Sequence, residues 1–140
     1  MIEQLSQQFG DRLIESSEAF GETRVTVKPE TLVALCQYLK DELGFDYPID
    51  LTAAECPELR LVVRLGSVSK PDRIAISVPV AHGARVPTLT GVYKAMDWWE
   101  REVYDLFGLT FPGHPDLRRI LLPDDWSGYP LLKGDPSGKA

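Results

Sequence analysis

The chain has 140 residues, 44 % of them apolar and 26 % charged, an ordinary globular composition long enough for one buried core. Its apolar runs stop after a few residues, far short of the ~20 that a bilayer-spanning helix needs, and the first ten residues lack the apolar stretch of a signal peptide, so the expectation is a protein that stays where it is made. Fifteen basic against 21 acidic residues give a net charge of −6, the wrong sign for the basic surface on which nucleic-acid binding rests.

Ile2, Leu5 and Phe9 fall at helical spacing, with Gly10 as a stop. Leu13-Ile14 and Arg24 to Val27 read as short strands around a turn at Gly21. The segment 29–43 is predicted as the best internal helix. Pro29 opens it, Leu32, Leu35, Cys36, Leu39 and Leu43 share one face, and Gly44 closes it. Cys36 within that stripe reads as a buried structural thiol. Residues 59–65 and 73–80 alternate with period two around the turn-rich linker 66–72, which predicts a hairpin. Pro79 belongs at an edge or strand end, because it cannot donate to a ladder.

From Thr88 the period becomes helical. Thr88 is a candidate N-cap and Gly108 a candidate stop, while Gly91 suggests a break before Asp97, leaving a helix over 97–107. Asp97, Arg101 and Asp105, spaced by four, are expected to pair with one another. Glu100-Arg101-Glu102 reads as a solvated charged face. The expected fold is therefore α+β: an antiparallel sheet with helices packed on one face.

Residues 108–140 hold five Gly and five Pro in 33 positions and keep no regular period, yet they carry ten large apolar side chains. Such a segment is too apolar for a disordered linker. We expect residues 1–108 to form the α+β body and 109–140 an extended irregular C-terminal arm of the same domain, which packs partly on the body and partly on a partner protein. Phe111, Trp126, Tyr129 and Leu131 are its expected anchors.

The chemistry sought in the sequence is mostly missing. Cys36, Cys56, His82 and His114 are scattered, without the spacing of a metal site, and two cysteines are too few for an iron–sulfur cluster. A reduced compartment fits this cysteine usage. No dinucleotide-binding, phosphate-loop or nucleophile-elbow motif is present. Glu100 and Glu102 with His114, Asp116, Asp124 and Asp125 could form acid–base machinery. The simpler reading is a charged helix face at 100–102, and Asp116 with Arg118 and Arg119 as a salt-bridge lattice that fixes a loop lacking a backbone ladder.

One stretch carries a resemblance. Trp99-Glu100-Arg101-Glu102-Val103-Tyr104-Asp105-Leu106-Phe107-Gly108 runs into Gly113-His114-Pro115-Asp116-Leu117-Arg118-Arg119-Ile120-Leu121, then Pro123-Asp124-Asp125-Trp126 and Gly128-Tyr129-Pro130-Leu131. This closely resembles the C-type subunit of respiratory complex I, the NADH:quinone oxidoreductase. The resemblance implies a redox-silent scaffold without flavin, cluster or other cofactor of its own. It implies a place in the hydrophilic arm, peripheral on the cytoplasmic side of the membrane, beside the quinone-site D-type subunit and the cluster-bearing B- and I-type subunits. Glu100, Arg101, Glu102, Tyr104, Asp105, Gly108, Gly113, His114, Asp116, Arg118 and Arg119 match the family motif and take an implied structural and interfacial role, with Trp126 and Tyr129 beside them.

The chain departs from the usual continuation of the motif. Leu132 stands where the family has arginine, which removes any ion pair that arginine makes, and the chain ends within ten residues of Pro130. Related subunits also occur in membrane-bound hydrogenases and other complex I-like dehydrogenases, so an equivalent subunit of such a complex is the alternative. A free-standing acid–base enzyme using Glu102, His114 and Asp116, or an unrelated protein-binding adaptor, are further rivals.

Overall fold

A computed structural model describes residues 2–19, 21–55, 57–123 and 125–132. The backbone runs through α1 (Ile2–Phe9), a short 3₁₀ turn, β1 (Leu13–Ala19), β2 (Glu22–Val27), α2 (Pro29–Leu43), β3 (Tyr47–Glu55), β4 (Leu59–Gly66), β5 (Arg73–Pro79) and α3 (Met96–Phe107). The five strands form one sheet in the order β1-β2-β5-β4-β3. Its pairings of β1 with β2, β3 with β4 and β4 with β5 are antiparallel. The junction between β2 and β5 is parallel, in a sheet otherwise antiparallel as expected. Its cause is topological. The chain leaves β2 through α2, builds β3 and β4 at the far edge, and returns in β5 along β2, which needs a crossover rather than a hairpin.

Helix α2 has the predicted limits because its ends are specified locally: Pro29 stands in the first turn and Gly44 takes the left-handed conformation, φ 76°, that closes the helix. Strand β3 escapes the pattern reading. Pro48 near its start, a register irregularity between Pro48 and Asp50, and the small residues Ala53 and Ala54 obscure the alternation, although Leu51 and Ala53 are buried.

Register explains why one sheet face is covered. Leu51, Val63, Ile76 and Val25 are successive neighbours across four strands, and all are buried. They join a single core with Leu5 and Phe9 of α1, Leu32, Leu35, Cys36 and Leu39 of α2, and Met96, Val103 and Phe107 of α3. The next row, Asp50, Arg64, Ala75, Arg24 and Ser17, belongs to the opposite face and is not buried. Cys36 is buried as expected, and its apolar surroundings push the thiol pKa up. Cys56 lies outside the described residues.

Candidate functional site

Helix α3 begins only at Met96, so Thr88 is not its N-cap. Residues 88–95 are turns that fold back along the helix. The Thr88 hydroxyl donates to Glu100 Oε1 at 2.5 Å, and the Leu89 N–H donates to Glu100 Oε2 at 2.7 Å. Glu100 is fully buried, not part of a solvated charged face. Tertiary contact decides this: the returning loop offers two donors to one carboxylate and closes it off from water. Burial raises the Glu100 pKa, and the two hydrogen bonds oppose that shift.

Five residues on, Asp105 is also fully buried. Arg119 donates from Nη1 to Asp105 Oδ1 at 2.9 Å and to the Asp105 carbonyl at 2.9 Å. Three successive N–H groups, those of Ile120, Leu121 and Leu122, donate to Asp105 Oδ2 at 3.2, 2.7 and 3.0 Å. Burial alone would raise this pKa. The Arg119 bond and the three amides overcome it, and the carboxyl sits below its usual range. Arg119 then donates from Nη2 to the Gly128 carbonyl at 2.8 Å and stacks over the Tyr129 ring, 5.0 Å from its centroid. One carboxylate thus serves the three amides of 120–122 in place of a backbone ladder.

The expected mutual pairing of Asp97, Arg101 and Asp105 does not form, because each has another neighbour. Arg101 lies over the Trp98 ring, 5.9 Å from its centroid, while Asp105 serves Arg119. Asp97 Oδ1 lies 3.0 Å from Nε2 of His114, and His114 Nε2 also lies 3.1 Å from the Asp97 carbonyl. The His114 side chain is fully buried, and its Nδ1 accepts the Asp116 N–H at 2.9 Å. That bond assigns the ring proton to Nε2 in the neutral form. Asp116 meets Arg118 at 3.1 Å on the exposed surface. Arg118 and Arg119 therefore keep their expected partners, whereas Arg101 does not. Glu102 lines a groove of about 340 Å³ with Asp50, Trp99, Val103 and Leu131, away from the His114–Asp97 contact. The three residues of the enzyme rival are not gathered in one place.

The two motif glycines that meet neighbours have steric reasons. Gly108 has φ 76°, and a Cβ there would stand 2.7 Å from the Tyr129 ring, which also lies 6.2 Å from the Tyr104 ring. Gly113 has φ 89°, with Thr88 Cγ2 3.0 Å from where a Cβ would be.

The arm has two characters. Its first part belongs to the body: Thr110 donates its N–H to the Ala84 carbonyl and accepts from the Val86 N–H, and Thr88 N–H reaches the Pro112 carbonyl. This short ladder sinks Leu109 and Phe111 into the core, so Phe111 is a core residue and not a partner anchor. The later part stays open. Leu121 is 52 % exposed, Trp126 38 % and Leu131 53 %, and the Leu131 N–H donates to the Leu106 carbonyl near the end of α3. Asp124 and residues 133–140 lie outside the described residues. Sequence reasoning missed the donors at Thr88, Leu89 and 120–122, and the acceptor at Gly128. No local pattern marks a backbone group that a distant side chain will use.

The family model described as respiratory-chain NADH dehydrogenase, 30 Kd subunit, matches residues 25–140. Among curated relatives, the C-type subunit of the NADH-quinone oxidoreductase of Geotalea uraniireducens is 41 % identical over 137 residues, covering 94 % of this chain and 84 % of its own length. The same protein of Geobacter metallireducens is 40 % identical over 138 residues, covering 94 % and 85 %. That of Rhodobacter capsulatus is 39 % identical over 139 residues, covering 95 % and 70 %. Among solved structures, a chain of the archaeal membrane-bound sulfane sulfur reductase aligns with TM-score 0.75 over 89 % of this chain and 75 % of its own, at 23 % identity, a likeness of fold.

Proposed function

The chain belongs to the family of the 30 Kd subunit of respiratory-chain NADH dehydrogenase, the C-type subunit of complex I, and on that premise we propose that it is a redox-silent scaffold in the hydrophilic arm of an NADH:quinone oxidoreductase. In this reading it holds the quinone-site D-type subunit and the cluster-bearing B- and I-type subunits in register for electron transfer to quinone. It sits peripherally on the cytoplasmic side of the membrane. Among the described residues no helix is long and apolar enough to cross a bilayer.

The observation that carries the reading is the arm. Asp105 and Arg119 pin its base at considerable cost in buried charge, while Leu121, Trp126 and Leu131 remain exposed beyond it. A rigid mount beneath an apolar edge suits an interface core, where aromatic and aliphatic anchors gather. The motif residues Glu100, Arg101, Glu102, Tyr104, Gly108, Gly113, His114, Asp116 and Arg118 act in this reading as the framework around that mount. The body and arm form one domain.

The test combines Trp126→Ser and Leu131→Ser in the intact complex. The isolated variant should keep its circular dichroism spectrum, and its co-purification with the quinone-site and cluster-bearing neighbours should fall. Normal assembly would remove the arm from the interface. The purified wild-type chain should show no flavin or cluster absorption; stoichiometric iron or flavin would overturn the redox-silent role.

A further inference from the structure

The face of the sheet turned away from the helices is not evenly charged. The protein as a whole carries −6, yet Arg24, Arg60 and Arg64 gather on this face around a shallow trough of about 480 Å³. Register aligns Arg64, Ala75 and Arg24 across three strands, so the two arginines flank a small residue. Ser77, next on β5 on the same face, is small as well, and the floor of the trough is open.

Ion pairing on this face is one-sided. Arg24 meets Glu22 of its own strand at 3.2 Å. Arg60 donates from Nη1 to the Ser77 hydroxyl at 3.1 Å, and its buried Nε finds no hydrogen-bond partner. Arg64 is exposed and meets no carboxylate among the described residues, although Asp50 is its register neighbour on β3. Two arginines without carboxylates therefore stand four residues apart on β4, about 13 Å along one strand. The arginine fork suits bidentate carboxylate recognition, and the exposed Arg64 guanidinium is free to offer it.

We propose that this face docks an acidic segment of a neighbouring protein of the complex, with carboxylates on Arg60 and Arg64; the proposal rests on the reading of the chain as a component of complex I. Charge complementarity selects that occupant over an anionic lipid surface. Glu15 and Glu22 border the same trough on the β1–β2 side. A broad anionic surface would press on those two carboxylates together with the arginines. A single segment places its charges over the β4 arginines, clear of Glu15 and Glu22, while Asp50 beside Arg64 stays half-buried on β3.

The experiment uses the intact membrane complex with the photo-crosslinker p-benzoylphenylalanine in place of Ala75. Irradiation should join the chain to an Asp/Glu-rich peptide of another component, identified by mass spectrometry. Adding Arg64→Glu should lower that crosslink and the chain's retention in salt-washed complex by about tenfold, with Arg64→Lys, which keeps the charge but loses the fork, in between. Arg64 is exposed, so this substitution tests the face even where Arg60→Glu impairs folding. A crosslink only to lipid, only to a peptide without acidic residues, or one unchanged by Arg64→Glu would overturn the proposal. If the wild-type chain is absent from the purified complex, the scaffold reading falls with it; if the chain is present and Ala75 captures no acidic peptide, the docking face alone falls.

Discussion

Helix α3 buries two carboxylates five residues apart, and they are held in opposite ways. Glu100 receives a hydroxyl and one backbone N–H from the 88–90 loop, with burial raising its pKa. Asp105 receives a guanidinium and three backbone N–H groups from the arm, which lower its pKa in spite of burial. Burial alone does not decide how a carboxyl behaves. The number and charge of its donors do. Asp105 is kept as an ion and organises a loop of 120–122 that has no ladder, whereas burial works against the ionised form of Glu100.

The comparison breaks most strongly at Asp105. Asp105→Ala leaves Arg119 without its carboxylate and three amides without an acceptor, and should cost about 3–5 kcal/mol in urea unfolding. Protection of the 120–122 amides from hydrogen exchange should disappear at the same time. An unchanged exchange pattern would mean that the arm holds itself. Next comes Gly108→Ala, which forces a left-handed backbone on alanine and drives a methyl into the Tyr129 ring; about 2 kcal/mol is expected in the same unfolding measurement.

Glu100→Gln should cost about 1 kcal/mol or less, because the amide oxygen still accepts the Leu89 N–H and no buried charge remains. A loss as large as that of Asp105→Ala would show that Glu100 depends on its charge after all. The smallest effect is in the pH dependence, where the two carboxyls have opposite signs. Asp105 is lowered in the folded state, so its stabilisation is present above the unfolded value of ~3.9 and is lost as pH falls through the folded pKa. Glu100 is raised, so its contribution is present below ~4.3 and is lost as pH rises through the folded pKa. Relative to wild type, Glu100→Gln should therefore gain stability as pH rises above ~4.3, and Asp105→Asn should lose its penalty as pH falls below ~3.9. Urea titrations at a series of pH values read both slopes.

Legibility in the sequence follows the range of the interaction. Helix α2 is readable to its ends, because Pro29, the leucine stripe and Gly44 act within a turn of the residues they control. The β4–β5 hairpin is readable from alternation on both sides of a short linker. The break before α3 is readable from Gly91, and the resemblance at 98–133 leads to the right family without any structure. Arg119 is correctly expected to bind carboxylate or carbonyl oxygen, although which oxygen is not written in its neighbourhood.

What tertiary structure alone decides are the contacts whose partners lie far along the chain or belong to the backbone. The parallel pairing of β2 with β5 spans about fifty residues and depends on where the crossover returns. Strand β3 is specified by β4 beside it more than by its own weak alternation. Charge spacing on α3 suggests a chain of i,i+4 pairs. The folded molecule instead gives Arg101 to Trp98, Asp97 to His114 and Asp105 to the arm. Phe111 is core because the Thr110 ladder carries it inward, while Trp126 and Leu131, equally apolar, stay outside. Sequence determines which side chains seek burial or a counter-charge. Which partner each one obtains is settled only when folding brings distant donors and acceptors together, because unsatisfied groups are costly and the closest compatible partner takes them.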